Sequence, residues 1–135
     1  PVYIDGETAM VVFENPITDL AVLQTFKHAG LRSVKLSITP PQQGDEIYMV
    51  GHPMGLPVPQ LSKGYISSLH NYIDGQEYML FNMHGCGGNS GSAVLNENDE
   101  IISVLQVGYG RPCSGLSGGS PWHVLIRQLR QFFER

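Results

Sequence analysis

The chain has 135 residues, of which 41% are hydrophobic and 15% are charged, a composition typical of a globular domain rather than a disordered segment. Eight basic and twelve acidic residues give a net charge of −4, which argues against a basic surface for nucleic acid or anionic lipid. No apolar run approaches the roughly 18 residues of a transmembrane helix, and residues 1–6 lack a signal-peptide pattern. The sequence therefore predicts a domain with neither a nucleic-acid nor a membrane partner.

Short β-rich runs separated by turn signals occupy most of the chain. The dipeptide Asp74-Gly75 lies between two such runs and predicts a tight hairpin. The stretch Ile38–Gly44, rich in proline and glutamine, is the best linker candidate. Strands at this spacing are typical of an antiparallel barrel or sandwich. The predicted strands are Met10–Glu14, Leu20–Thr25, Glu46–Gly51, Gly64–Leu69, Glu77–Asn82, Ser92–Leu95 and Ile101–Val107.

The end of the chain has helical periodicity instead. Apolar side chains recur every three or four residues between Trp122 and Phe133. Ser120 is the predicted N-cap, and Pro121 is the predicted first helical residue. The pattern predicts an amphipathic helix from Pro121 to about Glu134, with its apolar stripe packed on the core.

The stretch Gly85–Ser92 (GCGGNSGS) carries the clearest chemical signal. A nucleophilic serine needs a hydroxyl exposed on a tight turn, with amide N–H groups converging where an oxyanion develops. Glycines on both sides of Ser90 permit such a turn and the close approach of a substrate backbone. The alternative is a glycine-rich hairpin loop that happens to hold two serines.

A second motif, Thr18–Leu23 (TDLAVL), places Asp19 at the mouth of a predicted buried strand, 71 residues before Ser90. Alone, this aspartate is an ordinary turn residue. Together the two motifs resemble the chymotrypsin-fold serine proteases, in which such segments carry the triad aspartate and the nucleophile. The resemblance to compact bacterial and phage-encoded members, including the high-temperature-requirement proteases, extends through Gly44–Leu56, Lys63–Ser68, Asn96–Val104 and Gly118–Pro121.

This resemblance implies an all-β fold of two antiparallel six-stranded Greek-key barrels with a C-terminal α-helix. Residues 1–37 then form the end of a first barrel that is incomplete in this chain, residues 38–119 form the second barrel, and residues 120–135 form a helix packed on both. Unpaired strand edges around Met10–Glu14 and Leu20–Thr25 predict self-association or poor solubility.

The resemblance also implies roles for individual residues. Ser90 matches the nucleophile, and Asp19 matches the carboxylate that orients the general base. The backbone amides of Gly88 and Ser90 match the oxyanion hole. The implied function is a serine endopeptidase that cleaves protein or peptide substrates through an acyl-enzyme on Ser90, without a cofactor.

The triad also requires a histidine, which in this family precedes the aspartate. All five histidines follow Asp19 in the sequence. Two interpretations stay open: the histidine lies upstream of Pro1, or the chain is a truncated or pseudoenzyme module that acts as a binding or scaffold domain. Both predict little or no peptidase activity for these residues alone, because a serine without a general base is a poor nucleophile. Of the five histidines, His28 and His70 are expected to be solvated. His52 lies in a loop, His84 precedes Ser90 by six residues, and His123 lies in the helix.

The resemblance places the substrate pocket beside the segment that precedes Ser90, with His84 at its floor. The pocket floor carries no aspartate and the expected wall strand no histidine, so a medium-sized apolar P1 residue is the default expectation. The other predicted pocket residues lie on one strand and are Leu105, Gln106, Val107 and Gly108.

Cys86 and Cys113 match positions where trypsin-like members carry a disulfide between two pocket walls. The alternative is two buried free thiols, as in a reducing cytosol. A disulfide implies a secreted or periplasmic protein, and free thiols imply a cytoplasmic or phage-associated one. A metal site built from His52, His84 and Cys86 lacks recognisable ligand spacing, so the sequence predicts no metal.

Overall fold

The computed structural model describes residues 2–4, 6–26, 32–109 and 115–134. These residues form a three-stranded antiparallel sheet, a closed six-stranded barrel and a C-terminal helix. The sheet comprises β1 (Val2–Ile4), β2 (Glu7–Asn15) and β3 (Leu20–Thr25), with β2 in the centre.

The barrel begins after the linker and closes on itself in the order β4-β5-β6-β9-β8-β7. All its strand pairs are antiparallel, and β9 returns between β6 and β8. The single helix of the described residues longer than one turn, α1 (Trp122–Glu134), follows β9 directly. The barrel strands are β4 (Glu46–Gly51), β5 (Gln60–Ile73), β6 (Gln76–Asn82), β7 (Ala93–Leu95), β8 (Ile101–Tyr109) and β9 (Leu116–Gly119).

The hydrophobic core lies inside the barrel because alternate residues of each strand face inward. On β4, for example, Ile47 and Met49 are buried whereas Glu46 and Val50 are exposed. Phe81 is the largest fully buried side chain. The remaining core residues are Ile66, Met79, Met83, Val94, Ile102 and Leu105, with Leu69 and Trp122 packed against them.

The predicted hairpin at Asp74-Gly75 is confirmed. β5 ends at Ile73 and β6 begins at Gln76, so the loop has two residues. Both have positive φ angles, 52° at Asp74 and 80° at Gly75. Two central residues with positive φ define a type I′ turn, whose twist matches that of the flanking strands.

The helix begins one residue later than predicted, and Ser120 does not cap it. The carbonyl of Pro121 accepts hydrogen bonds from the N–H groups of Val124 and Leu125, so Pro121 is itself the capping residue. The Ser120 hydroxyl instead accepts a 3.0 Å hydrogen bond from the Val104 N–H. Ser120 therefore fastens the helix entry to β8.

The helix connects the sheet, the linker and the barrel. The Trp122 indole N–H donates to the carbonyl of Ser37 at 2.9 Å, which holds the residue before the linker against the helix. Farther along α1, the buried Gln128 accepts a 3.1 Å hydrogen bond from the Thr18 hydroxyl in the β2–β3 turn. Among the described residues, no helix is long and apolar enough to cross a membrane.

The strand edges expected to be open both lie in the three-stranded sheet. β1 pairs only with the start of β2, from Glu7 to Ala9, and so does not extend along Met10–Glu14. Residues Met10–Glu14 pair with β3. Leu20–Thr25 lies at the margin of the sheet formed by the described residues. The self-association expected from these edges stays a prediction.

Candidate active site

Ser90 lies on the loop between β6 and β7, with its side chain exposed to solvent. Its hydroxyl donates a long hydrogen bond of 3.4 Å to the carbonyl oxygen of Gln106 on β8. The loop is fixed to β8 on both sides of the serine. The Gly91 N–H donates to the Leu105 carbonyl at 2.7 Å, and the Leu105 N–H donates to the Ser92 carbonyl at 2.9 Å.

The residues before Ser90 form a tight turn that only glycine permits. The Asn89 N–H donates to the Cys86 carbonyl at 3.1 Å, and Gly88, the third residue of that turn, has a φ of 96°. A positive φ at the third position defines a type II turn. A Cβ on Gly88 would also collide with the His52 carbonyl oxygen and lie 3.1 Å from the Met54 nitrogen.

The same turn fixes the direction of one backbone N–H group. The Met54 N–H donates a hydrogen bond to the Gly87 carbonyl oxygen. In a planar trans peptide, the carbonyl and the following N–H point in opposite directions. The Gly88 N–H is therefore directed away from Met54. Among the described residues, neither the Gly88 nor the Ser90 N–H donates to a protein acceptor.

The loop that carries Met54 has its own internal support. Residues Pro53–Gly55 form a short 3₁₀ turn in which Met54 has a φ of 54°. The Leu56 N–H donates to the Pro53 carbonyl at 3.1 Å. The His52 imidazole Nδ1 lies 3.0 Å from the Leu56 carbonyl oxygen. This arrangement holds the Met54 N–H toward the Ser90 loop.

The Asn89 side chain anchors the turn to the end of β4. It is 1% exposed and packs against the end of β4, where a Cβ on Gly51 would collide with the Asn89 amide oxygen. Glycine at position 51 is therefore required for Asn89 to be buried. The buried amide oxygen of Asn89 has no hydrogen-bond partner among the described residues.

Asp19 lies at the end of the β2–β3 turn, exposed and with a φ of 56°. The Gln106 side chain reaches this turn and donates from Nε2 to the Thr18 carbonyl at 2.8 Å and to the Asp19 carbonyl at 3.4 Å. Gln106 therefore contacts both segments, because its own carbonyl accepts from the Ser90 hydroxyl. The sequence predicted Gln106 only as a pocket residue. Nothing in the sequence indicates its hydrogen bond to Asp19, which lies 87 positions away.

The predicted pocket residues occupy different environments. His84 and Gly108 are exposed, Gln106 and Val107 are half-buried, and Leu105 is 2% exposed within the barrel core. A Cβ on Gly108 would collide with the Gly85 carbonyl oxygen. The backbone of β8 therefore contacts the segment between β6 and Ser90 at this level, and the Leu105 side chain faces the core instead.

The sulfur of Cys86 is disulfide-bonded. Its expected partner, Cys113, lies outside the described residues, so the pairing stays a prediction.

Three of the histidines that the structure describes make contacts away from Ser90. The ring of His52 contacts its own loop, and the rings of His70 and His123 contact Glu77. His28 lies outside the described residues. Within the described part of the chain, no histidine ring hydrogen-bonds to Ser90 or Asp19.

A closed antiparallel barrel that presents a glycine-bounded serine turn between two of its strands defines a domain of the chymotrypsin-fold class. The chain belongs to the trypsin-like peptidase domain family, whose family model matches residues 5–104. No curated protein matches the sequence.

Two solved structures show the same fold. The HtrA-type protease AlgW, solved with a decapeptide, has a TM-score of 0.83 and 21% identity, covering 96% of this chain and 41% of its own. An inactive mutant form of Rv3671c from M. tuberculosis H37Rv has a TM-score of 0.76 and 16% identity, covering 93% of this chain and 64% of its own. The chain thus spans less than two thirds of the length of either protein.

Proposed function

We propose that this chain carries the nucleophile of a serine endopeptidase, with Ser90 as the attacking residue. The observation that carries the proposal is the pair of backbone N–H groups at Gly88 and Ser90, which have no protein acceptor among the described residues and flank an exposed serine hydroxyl. Such a pair can stabilise an oxyanion as it forms, and one donor typically contributes about 3 kcal/mol to the transition state.

In the proposed reaction, Ser90 Oγ attacks the carbonyl carbon of the scissile peptide bond while its proton passes to a histidine base. The Gly88 and Ser90 N–H groups donate to the carbonyl oxygen as it becomes negatively charged. Collapse of the tetrahedral intermediate breaks the C–N bond, and the protonated histidine gives its proton to the leaving amine. A water molecule then attacks the acyl carbonyl as the histidine takes its proton. Cleavage of the ester C–O bond releases the carboxylic acid product, and the histidine returns the proton to Ser90 Oγ.

We further propose that the histidine base lies in polypeptide upstream of Pro1 and that Asp19 orients it. The support is the position of Asp19, exposed on a turn that Gln106 connects to the Ser90 loop. In this proposal residues 1–37 are the end of a first six-stranded barrel. Exposed apolar side chains on or beside the sheet, such as Met10, Leu23 and Phe26, are consistent with further strands packing there.

We propose a peptide or unfolded protein segment as the substrate. The HtrA-type protease AlgW, whose fold this chain shares, was solved with a decapeptide, and that likeness supports a peptide ligand. The medium-sized apolar P1 preference remains a proposal, with His84 and Val107 as its candidate determinants.

A fluorophosphonate probe, which reacts with activated serines, tests the proposal. A polypeptide that includes the sequence upstream of Pro1 should be labelled stoichiometrically at Ser90, and Ser90→Ala should abolish labelling. Ser67→Ala, on β5, is the matched control and should leave labelling unchanged. These 135 residues alone should react little, so their stoichiometric labelling would overturn the requirement for an upstream histidine.

A second candidate is a non-catalytic peptide-binding module built on the same fold. It is favoured by the lack of any hydrogen bond between a described histidine and Ser90 or Asp19. An upstream-extended polypeptide that binds peptides but does not react with the probe would support this candidate.

A further inference from the structure

Away from Ser90, three ionisable side chains from three different elements converge on the barrel surface. His70 lies on β5, Glu77 lies on β6, and His123 lies in the first turn of α1. Their ligand-type atoms all lie within 4.8 Å of one another. This His70–Glu77–His123 cluster is independent of the serine turn and of the proposed peptidase function.

The two histidines present their ring nitrogens to the same carboxylate. His70 Nδ1 lies 2.6 Å from Glu77 Oε2, and His123 Nε2 lies 3.0 Å from that oxygen. The ring centroids are 5.4 Å apart. Each imidazole thus directs toward the centre of the cluster the nitrogen that it would offer to a metal ion.

We propose that the His70–Glu77–His123 cluster binds a divalent transition-metal ion, with zinc as the best match. Two imidazole nitrogens and one carboxylate oxygen form an established zinc ligand set, which leaves the fourth tetrahedral position for water or another ligand. An ion in this position would join β5, β6 and the start of α1, and it would therefore fasten the helix to the barrel.

Zinc binding requires the three ligand atoms, which lie within 4.8 Å of one another, to adjust their spacing. With zinc–ligand bonds of about 2.0–2.1 Å, tetrahedral ligand atoms lie about 3.3–3.4 Å apart. His70 Nδ1 now lies 2.6 Å from Glu77 Oε2. It must therefore withdraw from that oxygen by less than about 1 Å to reach the tetrahedral spacing. Its side chain is 62% exposed and has room to move, whereas Glu77 is only 14% exposed. The least mobile ligand is thus already in place.

The surroundings of the cluster leave space for a further ligand. Both histidines line a cavity of about 230 Å³ with Leu69, Met79 and Trp122, which gives a fourth ligand access to the ion.

The sequence could not reveal this site because its ligands have no motif spacing. His70 and Glu77 meet across a hairpin, and His123 joins them from 46 residues farther along the chain. The sequence analysis predicted no metal site, and the one set that it weighed, His52, His84 and Cys86, does not form a ligand cluster among the described residues. The present proposal therefore departs from that prediction.

Zinc titration against a chromophoric chelator tests the proposal on the 135-residue chain, with thermal unfolding as the second readout. The unaltered chain should bind one zinc ion, and its Tm should rise by several degrees in the presence of zinc. His70→Ala and Glu77→Gln should each weaken binding about 100-fold or more, since losing even an outer-shell partner of a metal site costs 10–100-fold.

His84→Ala, an exposed histidine outside the cluster, is the matched control and should bind zinc unchanged. His70 is mostly exposed, so His70→Ala should fold, and its circular dichroism spectrum checks this. A cobalt-substituted sample should show the visible absorption of a four-coordinate ion. Absence of zinc binding, or equally tight binding by His70→Ala, would show that the cluster is only a hydrogen-bonded carboxylate between two histidines.

Discussion

Two effects can exclude a side chain from a turn: a left-handed backbone conformation and a collision of the Cβ with neighbouring atoms. Three glycines around Ser90 differ in which of these effects applies. Gly87 lies outside the left-handed φ region, and a Cβ added to it would meet nothing within 4 Å. Gly91 has a φ of 90° but equally open space. Gly88 has both a φ of 96° and a collision with the His52 carbonyl oxygen. Gly87→Ala therefore tests neither effect, Gly91→Ala tests the backbone conformation alone, and Gly88→Ala tests both effects together.

The expected free-energy changes follow from these environments. Gly87→Ala should be neutral or stabilise by up to about 1 kcal/mol, because it reduces the freedom of the unfolded chain. Gly91→Ala should destabilise by about 1–2 kcal/mol, the cost of a left-handed conformation for an L-residue. Gly88→Ala adds about 1–3 kcal/mol for displacing the backbone of the loop that carries His52 and Met54.

Thermal unfolding followed by circular dichroism measures the series. At this chain length, 1 kcal/mol corresponds to about 4 °C in Tm, so Gly88→Ala should melt about 8–20 °C below the unaltered chain. If Gly88→Ala and Gly91→Ala melt within about 2 °C of each other, the close approach of the His52 carbonyl is refuted.

Three further predictions address the core, the connection to the sheet and the barrel surface. Phe81→Ala should cost about 3–5 kcal/mol in urea unfolding, because Phe81 is fully buried and leaves a cavity; a loss below about 1 kcal/mol would contradict its place in the core. Gln106→Ala removes the 2.8 Å hydrogen bond to the Thr18 carbonyl and should speed hydrogen exchange in the β2–β3 turn, at a global cost of about 1 kcal/mol. Unchanged exchange there would show that Gln106 does not hold the turn. The hydrogen bond to Asp99 raises the pKa of Tyr48, with smaller contributions from burial and from the Asp99 charge. Asp99→Asn should therefore lower that pKa in an ultraviolet titration, and an unchanged titration would exclude the contact.

Strands bounded by clear turns were predictable from the sequence, and those defined by long-range pairing were not. Both Leu20–Thr25 and Glu46–Gly51 have the predicted bounds, because each is a short β-rich run between turn residues. β5 is far longer than the predicted Gly64–Leu69, since its polar ends pair through the backbone with β4 and β6. Backbone pairing leaves no mark in the pattern of apolar residues.

β9 (Leu116–Gly119) shows the opposite problem, because two of its residues are glycines, which locally argue against a strand. The structure explains one of them: a Cβ on Gly119 would collide with the Ser103 hydroxyl and lie 2.6 Å from the Val104 carbonyl oxygen. The close approach of β8 thus requires glycine there. A contact between strands decides the residue, and local sequence rules cannot anticipate it.

The candidate site divides in the same way. Ser90, Asp19 and the glycines of the turn were identifiable because their side chains, or the lack of one, form a motif. The contribution of Met54 was not identifiable, since it acts through a backbone N–H that every residue except proline possesses. Gln106 was assigned to the pocket, and only the folded chain reveals its hydrogen bonds to the β2–β3 turn.

The way in which the barrel closes predicts which of its strand pairs separates first. β4 and β5 pair along the whole of β4, but β4 and β7 pair only between Tyr48 and Leu95. The Tyr48 hydroxyl reinforces this seam by donating to Asp99 in the turn after β7. Local opening proceeds first where the fewest backbone hydrogen bonds must break. The barrel should therefore part at this seam before it unfolds elsewhere, and β7, which follows the Ser90 turn directly, would carry that turn with it.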